Sequence, residues 1–165
     1  MIIILMGVAG SGKTTIGSLL ADQLGWPFYE GDDFHPPDNV ARMRSGVPLT
    51  DADRQPWLEA LGKLIGNLVS KNISALVACS ALKAAYRDKL KSAAGAHDDQ
   101  VRFVYLRIPP PVARQRLRGR KGHFMHAQMV ESQFEALEEP ADAIVVDATL
   151  NPDEVVTRIR QALGL

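Results

Sequence analysis

The chain has 165 residues, the length of one domain, with enough material for a sizeable core. Its 19 basic and 19 acidic side chains cancel, which argues against nucleic-acid binding by bulk charge and leaves only a local basic patch open. One cysteine excludes an internal disulfide and fits a reducing compartment, and no apolar run reaches the length of a membrane span, so a cytoplasmic location is expected.

Met1-Ile2-Ile3-Ile4-Leu5-Met6 is an uninterrupted apolar run, the pattern of a strand buried on both faces. It lacks a basic leader and a small-residue cleavage site, so it does not read as a signal peptide. Gly7-Val8-Ala9-Gly10-Ser11-Gly12-Lys13-Thr14 follows, with the glycine and Gly-Lys-Thr spacing of a phosphate-binding loop. Glycines let the backbone wrap a phosphate chain, and successive N–H groups at a helix start present positive potential to it. Lys13 is placed to reach the β- and γ-phosphates, and the Thr14 hydroxyl to bind Mg²⁺. Beyond Thr15, apolar residues at Ile16, Leu19, Leu20 and Leu24 have helical spacing, closed by Gly25. The bland alternative is a glycine-rich turn with a solvated lysine, and the order strand, loop, helix weighs against it. The stretch predicts a nucleoside triphosphate site without naming a reaction.

Pro27 to Glu30 reads as a second strand ending at Gly31-Asp32-Asp33. Asn39 to Ser45 has a short helical pattern, and Asp51 reads as the N-cap of a longer helix through Trp57, Leu61, Ile65 and Val69, with Pro56 in or just before its first turn. Ala75 to Cys79 is a third strand, with Cys79 a buried small hydrophobe, and a basic helix runs from Lys83 to Ala94. Val101 to Leu106 is the fourth strand, and Pro109 to Pro111 introduce a helix through Arg118. Gly119 to His123 is polar and flanked by glycine, Ala127 to Leu137 is helical, Ala143 to Asp147 is the fifth strand, and a helix closes the chain from Pro152 to Ala162. No repeat or linker divides the chain, so residues 1–165 form one expected domain. Alternating strands and helices predict a parallel sheet covered on both faces, with ligands at the strands' carboxyl ends. That rule gathers the loop, Asp32-Asp33, Ser80 and the segment around Arg120 into one cleft.

Asp32 and Asp33 are either turn chemistry or acceptor-side carboxylates, and their place beside a phosphate loop favours function for one of them. His35, Arg42, Arg54, Lys83 and Arg87 are either solvated charges or contacts to a polyhydroxylated or anionic acceptor. Arg114, Arg116, Arg118, Arg120 and Lys121 form a basic run that is either a solvated or RNA-contacting face or a lid over phosphates. The third strand ends without an acid, so a metal is expected on Thr14, phosphate oxygens and water, with help from Asp32. Asp147 to Leu150 is a candidate wall for a nucleotide base.

Larger segments carry a resemblance. They are the phosphate loop, Gly25 to Pro37 with Gly-Asp-Asp-Phe-His-Pro, Gly46 to Asp51 with Asp53-Arg54 and Pro56-Trp57-Leu58, and Cys79-Ser80-Ala81-Leu82-Lys83 with Tyr86-Arg87. Arg120 to Met125 and Ser132-Gln133-Phe134-Glu135 complete the set. Together they resemble the gluconokinases, in the branch of small P-loop kinases similar to shikimate kinase. The resemblance implies an α/β P-loop NTPase-type three-layer fold, with a five-stranded parallel sheet covered by helices on both faces and a mobile lid. It implies phosphorylation of D-gluconate on its 6-hydroxyl by ATP with Mg²⁺, by a cytoplasmic homodimer that binds neither nucleic acid nor membrane. By position, Lys13, Asp32 and Arg120 become the catalytic set. Gly7, Val8, Ala9, Gly10, Ser11, Gly12, Lys13, Thr14, Thr15, Arg116 and Arg120 become the ATP contacts. Asp32, His35, Arg54, Lys83, Arg87 and Gln133 become the acceptor contacts, with Thr14 on the metal. One departure from the family pattern is His126-Ala127-Gln128, where prolines are usual after His123-Phe124-Met125.

Two rivals make different demands. A shikimate kinase would show a glycine-rich segment after the third strand, where this chain has Ser80-Ala81-Leu82, and a nucleoside monophosphate kinase would need a longer acceptor region. A nucleotide-dependent switch would need regions ordered by the γ-phosphate and a partner surface, neither identifiable here, and an RNA-binding regulator would need a strongly basic face with stacking aromatics, whereas this chain is neutral and 6% aromatic.

Overall fold

The computed structural model describes residues 1–119 and 127–165. Five strands form one parallel sheet: β1 (Ile2–Met6), β2 (Phe28–Glu30), β3 (Ala75–Ala78), β4 (Val101–Arg107) and β5 (Ile144–Asp147), in spatial order β2-β3-β1-β4-β5. The helices between them are α1 (Lys13–Leu24), α2 (Pro37–Arg44), α3 (Asp51–Ser70), α4 (Ala84–Ser92), α5 (Pro110–Arg118), α6 (Ala127–Ala136) and α7 (Pro152–Leu163).

The central strand shows why its sequence is apolar throughout. Ile2, Ile4 and Met6 pack with Trp57, Leu61 and Ile65 of α3 and Leu90 of α4, while Ile3 and Leu5 pack with Ile16 and Leu20 of α1 and Val155 and Ile159 of α7. Alternate side chains of one strand thus serve two cores, one on each face. All five residues of β1 are fully buried. The chain leaves β1 toward the β2 edge and later crosses from β3 to β4 on the other side. The order therefore reverses at β1 and β3, and their carboxyl ends form the crevice where an open α/β sheet takes its ligand.

Two glycines set this edge. Gly12 caps α1 with φ 93°, a left-handed geometry that L side chains rarely adopt, so the helix starts directly at Lys13. Gly31 follows β2, and a Cβ there would lie 2.3 Å from the Ala78 carbonyl oxygen of the neighbouring strand end. Cys79 is buried as expected, and burial pushes its thiol up to about 12.

The start of α3 differs from its expected form. Thr50, not Asp51, is the N-cap: its hydroxyl accepts the Asp53 N–H at 3.1 Å, and the Asp53 carboxylate accepts the Thr50 N–H at 2.9 Å. This reciprocal capping box outcompetes a single carboxylate cap and moves the helix start back. Pro56 is the sixth residue of the helix and lies in its second turn, not in or before the first. The displacement also frees the Asp51 side chain to turn into the crevice.

Candidate active site

The first residues of the phosphate loop are tied to both a strand end and a helix. The Gly7 N–H donates to the Ser80 carbonyl at 3.3 Å, joining the ends of β1 and β3, and the Ala9 N–H donates to Gln133 Oε1 at 2.6 Å, joining the loop to α6. Lys13 Nζ donates to the carbonyls of Gly7 at 2.9 Å and Val8 at 3.0 Å, which lays the ammonium over the loop. Arg116, on α5, donates to the Gly10 carbonyl at 3.3 Å and the Ala148 carbonyl at 2.7 Å. With Thr15, Thr149 and Leu150 it lines a cavity behind the loop. Of the expected Asp147–Leu150 wall, Asp147 is not part of that lining. Its carboxylate accepts the Thr149 hydroxyl at 2.6 Å and the Thr149 N–H at 2.9 Å, and these bonds hold its pKa below the usual carboxylate value.

On the other side of the loop lies a cleft of about 450 Å³. It joins Gly10, Gly12, Lys13 and Thr14 to Asp32, His35, Arg54, Lys83 and Gln133. Sequence positions more than 100 residues apart therefore share one space, as the strand-end rule predicts. The Asp32 carboxylate is 72% exposed, open to the cleft, while the His35 ring is 5% exposed. His35 stacks on Trp57 at 4.5 Å between ring centroids, and its Nε2 stands 4.0 Å from Asp32 Oδ1. Burial lowers the imidazole pKa, against the opposing pull of the Asp32 carboxylate, so the neutral ring is favoured. Trp57 is fixed in turn by its indole N–H, which donates to the Gly31 carbonyl at 2.8 Å.

Farther from the loop, Arg54 donates through Nη1 to the Leu49 carbonyl at 2.6 Å and stands over the Tyr86 ring at 5.8 Å. Lys83 Nζ donates to both Asp51 oxygens, at 2.9 and 3.1 Å, and the Tyr86 hydroxyl also donates to Asp51. Those bonds hold the Asp51 carboxyl below the usual carboxylate value, and the Asp51 bond raises the Lys83 ammonium.

A carboxylate absent from the sequence expectation stands nearest the loop hydroxyl. Thr14 Oγ1 donates to Glu30 Oε2 at 2.6 Å, whereas Asp32, the expected helper, has no bond to Thr14 among the described residues. Burial raises the Glu30 pKa, partly offset by the Thr14 bond. The signal available in the sequence was position: Glu30 is the last residue of β2, at the carboxyl end where an open α/β sheet gathers its ligand. Thr14 and Glu30 supply oxygen donors of the hard kind that Mg²⁺ takes.

Other expected contacts fall elsewhere. Arg87 is buried away from the cleft, and its Nη1 donates to the carbonyls of Ala81 at 3.0 Å and Leu82 at 3.1 Å. It braces the turn before Lys83, including Ala81 at φ 42°. Arg42 pairs with Asp53 at 3.2 Å, and Arg114 with Glu131 at 2.8 Å. Arg120, the expected phosphate-side arginine, and the expected lid at Gly119–His123 lie largely outside the described residues, as does Lys121.

The sequence family described as an AAA domain matches residues 2–144. The thermoresistant gluconokinase of Escherichia coli strain K12 is 44% identical over 150 residues, covering 88% of this chain and 83% of its own. The crystal structure of a gluconokinase from Sinorhizobium meliloti 1021 superposes with a TM-score of 0.87 at 41% identity, covering 98% of this chain and 90% of its own. The chain belongs to the gluconokinase family. The fold alone is shared with shikimate kinase from Aquifex aeolicus, at 24% identity and a TM-score of 0.55, covering 99% of this chain and 96% of that one. Membership in the gluconokinase family makes this a P-loop kinase that uses ATP. The gluconokinase reading of Gly-Asp-Asp and Cys-Ser-Ala-Leu-Lys thus holds at the level of family, and both segments line the same cleft.

Proposed function

We propose that this chain transfers the γ-phosphoryl group of ATP to the 6-hydroxyl of D-gluconate, giving 6-phospho-D-gluconate and ADP. The observation that carries the reading is the single cleft joining the phosphate loop to Asp32 and, beyond it, to Arg54 and Lys83. A kinase for a small polyhydroxylated acid needs this order: phosphate cradle, base, then cations.

The loop amides and Lys13 hold and neutralise the phosphates. Asp32 orients the 6-hydroxyl and accepts its proton as the oxygen–phosphorus bond forms. The bond from that phosphorus to the bridging oxygen breaks in line, and ADP leaves with the electron pair. Thr14, with Glu30 close by, would hold Mg²⁺, which would supply charge neutralisation on the phosphates. Arg120 is assigned to the phosphate side by its place in the family motif. Arg54 is assigned to the acceptor carboxylate because its Nε and Nη2 have no partner among the described residues, leaving a guanidinium edge for a paired contact. Gln133 is assigned to the acceptor side and to holding the loop through Ala9. Arg87 is better placed to brace the Lys83 turn than to touch the acceptor.

A cytoplasmic homodimer completes the proposal. No described helix is long and apolar enough to cross a membrane, and a lone buried cysteine suits a reducing compartment. The test is ADP release with Mg²⁺-ATP and a panel of D-gluconate, related aldonates, glucose, shikimate, nucleoside monophosphates and water. Turnover confined to gluconate supports the reading. Turnover with shikimate or a nucleotide overturns the acceptor assignment.

A further inference from the structure

The far end of the cleft holds two cations but uses them differently. Both oxygens of Asp51 are engaged by Lys83 Nζ, at 2.9 and 3.1 Å, and the Tyr86 hydroxyl donates to the same carboxylate. Lys83 is therefore internally neutralised. Arg54 spends Nη1 on the Leu49 carbonyl and, at 3.5 Å, on the Tyr86 oxygen, and keeps its other edge open. Asp51, Arg54 and Lys83 all line the cleft. Their formal charges sum to a single positive charge. The neighbouring His35 favours its neutral form.

We propose that Asp51 is a specificity-determining residue that sets the acceptor end of the cleft to one net positive charge, fitting it to a monocarboxylate and against acids bearing two adjacent negative groups. This rests on the assignment of the cleft to a sugar acid and names the charge class that it accepts. The first carboxylate is taken by Arg54. A second one beside it would meet Asp51 rather than a free ammonium, and like charges a few ångströms apart repel even where water partly screens them. Tyr86 makes the arrangement rigid: its hydroxyl and the lysine both hold Asp51, so the carboxylate does not swing aside.

The test compares two small competitive inhibitors that differ by one charge. D-glycerate carries one carboxylate beside a hydroxyl-bearing carbon, and tartronate carries two on such a carbon. Inhibition constants for both are measured against D-gluconate with the intact enzyme and with Asp51→Asn. The expected result is that Asp51→Asn tightens tartronate about tenfold more than it tightens glycerate, the effect of one partly screened unit charge. The ratio of the two constants is insensitive to a general loosening of the site, which shifts both together. Parallel changes, or no change in either, overturn the proposal. Should Asp51→Asn fold poorly, Lys83→Met supplies the complementary variant: it leaves Asp51 uncompensated and is expected to weaken tartronate more than glycerate. An Arg54→Ala control separates the two levels of inference. If it leaves glycerate binding unchanged, the assignment of the cleft fails. If it weakens glycerate while the Asp51→Asn ratio stays flat, only the charge-setting role of Asp51 fails.

Discussion

Asp32 and Arg54 occupy the same cleft but have different surroundings, and kinetics should separate them. Asp32 is open, close to the loop, and available to take a proton. Asp32→Asn keeps its shape and removes the base, so kcat should fall by about 10² to 10⁴ with a modest change in KM. An unchanged kcat would remove Asp32 from the chemistry. Arg54→Ala removes a binding edge and should chiefly raise KM for the acid, which steady-state kinetics with gluconate would show. His35 gives a second residue-scale test. Its burial lowers its folded pKa below the ordinary 6.5, so as pH falls the unfolded chain takes the proton first. Stability from this group is intact above 6.5 and is lost as pH drops through that value toward the folded pKa. Urea midpoints at about pH 7.5 and 5.5 should differ, and His35→Gln should flatten the difference. An equal slope in the variant would mean that His35 is not the group responsible. The strand-end rule places Asp32 in the cleft, whereas the family resemblance assigns His35 and Arg54 to the acceptor. Neither foretells that His35 lies stacked and buried on Trp57, because that packing depends on α3 reaching β2.

The element that matters most to the acceptor side is α3. Its first turn carries Asp51 and Arg54, and its later turns carry Trp57, Leu61 and Ile65 into the core. One helix therefore links site geometry to core packing. Its start depends on the Thr50–Asp53 box, and Thr50→Ala should cost about 1 kcal/mol of stability in urea unfolding. Because Asp51 and Arg54 hang from that turn, the same variant should also raise KM for the acid, whereas an exposed Ser70→Ala at the far end should not. If Thr50→Ala shifts stability and leaves KM alone, the first turn is held by its Lys83 and Tyr86 bonds rather than by its cap. The expected Asp51 cap fails here for a simple reason. Thr and Asp both cap well, and choosing between adjacent candidates depends on which pairing closes with the residue three positions on.

At the scale of the whole molecule, the two cores meet through one five-stranded sheet, and β1 contributes side chains to both. A change on either face should be transmitted through the same strand, so we expect residues 1–165 to unfold as one unit. With Trp26→Phe leaving Trp57 as the sole tryptophan, its fluorescence, reporting the α3 face, and far-UV circular dichroism, reporting all elements, should give coincident denaturant transitions. Separate midpoints would divide the chain into independent units. The parallel arrangement also ties the loop to its surroundings: Gly7 is bonded to the end of β3 and Ala9 to α6, so strand end, loop and helix belong to one frame.

The strand, loop and helix at the start, the five strands, the alternation that makes their sheet parallel and the motifs that mark the family are all legible in the chain alone. These are local properties, written in apolar period, turn chemistry and short spacing. Only the tertiary structure decided which charge meets which. Glu30 rather than Asp32 bonds Thr14, Asp51 neutralises Lys83 across 32 positions, and Arg87 turns inward to brace a strained turn instead of lining the cleft. Ion-pair partners at strand ends are chosen by distances of a few ångströms between elements far apart in the chain. No periodicity in the sequence encodes those distances, because they arise from how the helices seat on the sheet.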